Sequence, residues 1–89
     1  MVAKRSAGSP PLYNRLATLR AERGLSRAEL AERVGIHAQS VGFIERGDYG
    51  PSLELALRIA QVFDLPVEAI FSLEPLPPLS QSLYNQEKP

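Results

Sequence analysis

The segment Gly24 to Gly47, GLSRAELAERVGIHAQSVGFIERG, permits few folds. Ser26 and Glu29 have the Ser-x-x-Glu spacing of a capping box, in which each side chain satisfies a free backbone N–H at a helix start. Leu30, Ala31 and Val34 follow at helical spacing, and Ala31 is small where a neighbouring helix must approach. Gly35 suits the left-handed conformation that ends a helix and turns the chain sharply. Ile36 fills the core at the turn, and a second helix starts near His37 or Ala38 and runs to Arg46, with Val41 and Ile44 inward and Gly47 ending it. The segment therefore predicts two short helices joined by a tight turn. That arrangement pushes its second helix into the major groove of DNA.

The flanks predict three more helices. Leu12, Leu16 and Leu19 make one apolar stripe for a first helix from about Leu12 to Arg23, and Gly24 stops it. Ser52 caps a fourth helix that is apolar on most sides and reads as the central buried element. Asp48-Tyr49-Gly50-Pro51 reads as a loop before it. A short fifth helix runs from Pro66 to Phe71 or Ser72. Residues 1–11 read as a flexible basic arm, residues 12–73 as the folded domain, and residues 74–89 as a Pro-rich tail, disordered or partner-binding. The expected fold is all-α, a compact bundle of five helices.

At 89 residues the chain suffices for one domain with a thin core. It has no Cys, which excludes disulfides and thiolate metal sites. No apolar run approaches the roughly 20 residues of a membrane span, and residues 1–10 lack the apolar stretch of a secretory signal. The expectation is a soluble, cytoplasmic protein without a membrane role. Net charge is zero, but it is polarised. Up to Arg46 eight basic residues face four acids, a balance of +4; beyond it two basic residues face six acids, a balance of −4. One basic face is enough to meet DNA.

From Leu16 to Leu73 the chain resembles the Cro and phage-repressor (Xre) type of helix-turn-helix regulator. The resemblance rests on LRAERGLSRAELAERVGI and SVGFIERGDYGPSLELALRIAQVFDLPVEAIFSL, and in particular on the IERG ending, the Pro-Ser start of the fourth helix and the short fifth helix ending in IF. It implies the five-helix, lambda-repressor-like fold, and a dimeric DNA-binding transcriptional regulator that uses residues 37–46 in the major groove, most simply as a repressor.

The resemblance places Gln39 where relatives contact a base edge. A primary amide matches adenine N6 and N7 there. Ser40 falls at a position that bonds phosphate or base. Ala38 offers an apolar contact to a thymine methyl, or none. His37 takes the capping position, beside a phosphate or in solvent. Gly42 and Phe43 stand where relatives carry polar side chains. Phe43 touches thymine methyls or sugar, packs beside Tyr49, or marks a protein contact. For phosphate the candidates are Arg27 at a helix start, Arg46 and Arg15, with Lys4 and Arg5 reaching along a groove. Arg23 and Arg33 read as solvated. Arg20 and Glu45 match an ion pair that ties the first helix to the end of the third.

The resemblance also implies a dimer interface at Leu65, Pro66, Val67 and Phe71, with Val67 and Phe71 equally open to core roles. Leu76, Leu79, Leu83 and Tyr84 either extend that interface or lie in an unstructured tail. An alternative is an antitoxin or interaction module whose tail binds a partner protein. With one His and no Cys, and with no nucleophile–base pair, metal-ligand cluster or Gly-rich phosphate loop, no enzyme and no cofactor are expected.

Overall fold

A computed structural model describes residues 2–6, 8–9 and 12–77. The elements are β1 (Val2–Lys4), β2 (Tyr13–Asn14), α1 (Leu16–Glu22), α2 (Arg27–Val34), α3 (Ala38–Glu45), β3 (Tyr49–Pro51), α4 (Leu53–Phe63), a 3-10 turn at Val67–Ala69 and β4 (Phe71–Ser72). The expected all-α bundle of five helices is corrected by this order. Four α-helices are joined by two small antiparallel pairs, β1 with β3 and β2 with β4.

Each departure follows from where backbone groups find partners. The fifth helix stops after one turn because its next backbone groups are engaged elsewhere. The Ile70 carbonyl accepts the Arg15 N–H at 3.0 Å, and Phe71 and Ser72 pair with Asn14 and Tyr13. The first helix starts four residues later than expected because Asn14 breaks it. Its Oδ1 accepts the Leu16 N–H at 3.0 Å, and its Nδ2 donates to the Ile44 carbonyl at 2.9 Å. Such local side-chain bonding competes with helix continuation. The described part of the expected flexible arm is a strand: Val2, Ala3 and Lys4 face Pro51, Gly50 and Tyr49. Pro51, which lacks an N–H, is tolerated because the pair has only edges. Most of the Pro-rich tail, from residue 78, lies outside the described residues.

The two central helices are set by their caps. Ser26 Oγ accepts the Glu29 N–H at 3.0 Å, and Glu29 Oε1 accepts the Ser26 N–H at 2.8 Å. Gly35 sits at φ 79°, in the left-handed region, and the N–H groups of Gly35 and Ile36 both donate to the Ala31 carbonyl. Leu16 and Leu19 of α1, Leu30 and Val34 of α2, Val41 and Ile44 of α3, and Leu55, Ile59 and Phe63 of α4 close over one another with Ile70. Each such side chain contributes about 1.5–3 kcal/mol on burial. The fourth helix is less enclosed than its composition suggests: Leu53 and Leu57 stand 74% and 50% exposed.

Candidate nucleic-acid interface

With Val41 and Ile44 anchored in the core, α3 turns a fixed face outward. Gln39 is exposed on it, while Ala38, Ser40 and Phe43 are half-buried. His37 precedes the helix without a side-chain capping bond, so its imidazole is exposed beside the first turn.

One carboxylate organises the ground behind this face. Glu45 Oε2 accepts Arg20 Nε at 2.7 Å, and its Oε1 accepts Arg27 Nε at 2.9 Å. Arg20 Nη1 also donates to the Leu25 carbonyl at 2.9 Å, so α1, the start of α2 and the end of α3 meet at a single side chain. The Glu45 side chain is only 4% exposed. Burial alone would raise its pKa, but the bonds from Arg20 and Arg27 outweigh it and hold the carboxyl below the usual range. Arg27 remains half exposed, with four further N–H donors.

Phe43 stacks on Tyr49 with ring centroids 4.6 Å apart. The Arg46 guanidinium lies 5.1 Å from the Phe43 centroid, and its Nε meets Asp48 Oδ2 at 3.1 Å. Lys4 and Arg5 stand close by: with Ser6, Ser9, Gly47, Asp48 and Tyr49 they line an open cleft of about 500 Å³ past the end of α3. The strand pairing places these cations there, and nothing local in the sequence announces it.

Three placements differ from expectation. Arg15 is 7% exposed, and its Nη2 donates to the Pro77 carbonyl at 3.1 Å. Burial lowers its pKa, and the side chain is turned into the protein rather than offered to a phosphate. Arg23, expected to be solvated, donates to the Phe63 carbonyl at 2.8 Å and lies over the Phe63 ring, closing the end of α4. Phe71 is a core residue. Leu65, Pro66 and Val67 instead line an open groove of about 530 Å³ with Leu57, Ala60, Gln61 and Asp64. Leu73 beside them is exposed, Leu76 is half-buried, and Leu79, Leu83 and Tyr84 lie outside the described residues. The sequence reading missed Leu53 and Leu57; their helical spacing from Leu55 and Ile59 was the available signal.

Among the described residues no cluster of metal-ligating side chains occurs, and no helix is long and apolar enough to cross a membrane.

Comparison with known proteins adds to this geometry. Residues 16–70 match the family model described as helix-turn-helix. The chain is 48% identical over 63 residues to the HTH-type transcriptional regulator YgzD of Bacillus subtilis, a match spanning 71% of this chain and 96% of that one. It is 42% identical over 60 residues to an HTH-type transcriptional regulator of Archaeoglobus fulgidus, spanning 67% and 86%. The fold is similar to that of the restriction-modification controller protein C.AhdI from Aeromonas hydrophila, with a TM-score of 0.57 and 35% identity, covering 61% of this chain and 82% of that one.

Proposed function

Because the chain belongs to the helix-turn-helix family of transcriptional regulators, we propose that it binds duplex operator DNA as a homodimer and represses transcription by occupying it. The observation that carries this reading is the outward face of α3, where exposed Gln39 is flanked by Arg27 and Arg46. Gln39 pairs with adenine in the major groove; Ser40, Ala38 and Phe43 line the rest of the base-facing surface. His37, Arg27 and Arg46 meet phosphates and fix the register, and Arg15 leaves that set. Arg20 acts through Glu45, holding the helices that present α3. No cofactor takes part, and the site of action is the cytoplasm.

Two copies pair through the groove at Leu65, Pro66 and Val67, with exposed Leu57 and Leu73 adding apolar area. This sets two reading helices about 34 Å apart, one turn of DNA. The test is selection of bound sequences from random duplexes, repeated with Gln39→Ala. Loss of preference at one base pair per half-site, about 1–3 kcal/mol, is expected. If no sequence is enriched even at low salt, the reading fails.

The alternative, an antitoxin or interaction module, draws on exposed Leu53, Leu57 and Leu73. Phe43 gives it no support, since that ring is taken up by Tyr49 and Arg46. Co-purification of the full chain with a second small protein would favour it.

A further inference from the structure

Gly42 reads in the sequence as a missing polar contact. The space around it is instead where two cations converge. A Cβ placed on Gly42 would lie 3.3 Å from Arg46 Nη1 and 3.9 Å from both Cζ and Nε of Arg27. One guanidinium arrives from the start of α2, the other from the end of α3, and the gap between them over the helix backbone holds no side chain.

Both cations are held in place from behind. Arg27 spends its Nε on Glu45, and Arg46 spends its Nε on Asp48 while its plane rests against Phe43. Phe43 is braced in turn by Tyr49. The carboxylates therefore orient the guanidinium groups without using up their terminal N–H donors. An anionic oxygen set a few tenths of an ångström outward from the Cβ point would accept from both, the bidentate geometry in which arginine outperforms lysine.

We propose that the bare backbone at Gly42, with Arg27 and Arg46 converging on it, is a seat for one phosphate oxygen of bound DNA. The pair Gly42–Phe43 is then a single device: the glycine leaves the space and the phenyl ring holds Arg46 at its edge. A side chain at position 42 would fill the seat. This assignment rests on the DNA-binding reading above, and its test separates the two.

The variant Gly42→Ala makes opposite demands on folding and binding. Gly42 lies inside α3 without a positive φ, so alanine should raise Tm by a few degrees through helix propensity. Binding of a random-sequence duplex should weaken, with the slope of log K against log salt falling by about 0.9 and affinity dropping roughly eight-fold at 0.1 M salt, the loss of one phosphate contact. In an Arg27→Ala background, which keeps the Arg20–Glu45 pair and hence the fold, Gly42→Ala should cost nothing more. Binding by Gly42→Ala equal to the parent, or a loss that adds fully to that of Arg27→Ala, overturns the seat and leaves DNA binding intact. Inorganic phosphate, compared with chloride at equal ionic strength, is the second probe. If the parent binds no duplex but phosphate raises its Tm more than that of Gly42→Ala, the anion seat stands and the DNA reading falls. If neither probe distinguishes the two proteins, both fall.

Discussion

Glu45 accepts from two guanidinium groups on a side chain almost closed to water. Removing Arg20 strands that charge, so Arg20→Ala should destabilise the fold by about 3–5 kcal/mol in urea denaturation. DNA binding should suffer only through folding. The same carboxylate gives the stability a pH dependence. Its folded pKa is depressed below the ordinary value near 4.3, so its contribution is complete above that value. It drains away as pH falls through the ordinary value and then the folded one. Glu29, held down by its bonds with Ser26, acts in the same direction. Denaturation at neutral and acid pH should show a fall in stability beginning near pH 4–5, shallower in Glu45→Gln. At this scale the sequence carried residue identities but not their angles of approach. Gly42 and Phe43 look like lost contacts until Arg27 and Arg46 are seen to arrive from either side, and Arg15 looks solvent-facing until Pro77 is found beside it.

Among the elements, α2 and α3 were legible because their signals are local: a capping box within four residues and a glycine at the turn. The ends of the domain were not. Whether Tyr13–Asn14 and Phe71–Ser72 continue helices or pair as strands depends on partners almost the whole domain apart in sequence. A two-residue strand has no periodicity to detect. Asn14 is where this choice is made, since it satisfies the first N–H of α1 and reaches the Ile44 carbonyl at the end of α3. Asn14→Ala should cost about 1–3 kcal/mol, because it leaves both groups without that partner. Hydrogen exchange should locate the loss at the start of α1 rather than in α4. Stability unchanged within error would mean that α1 is terminated by something other than this side chain.

For the molecule as a whole, zero net charge hides a +4 half and a −4 half, and the fold gathers part of the positive half around α3. If two copies pair through the groove beside Leu57, a charge placed there should separate them. Leu57→Glu, at a half-exposed site, should leave Tm nearly unchanged. It should sediment as a monomer at tens of micromolar and bind a single half-site with the same base preference. The pairing of β2 with β4 has one more consequence. Tyr13 lies directly opposite Ser72, so the chain enters and leaves the helical unit at adjacent points. A unit with its two ends side by side can be spliced into a loop of a host protein, or joined end to end and reopened elsewhere, without disturbing its core. The fold is thus a portable cassette.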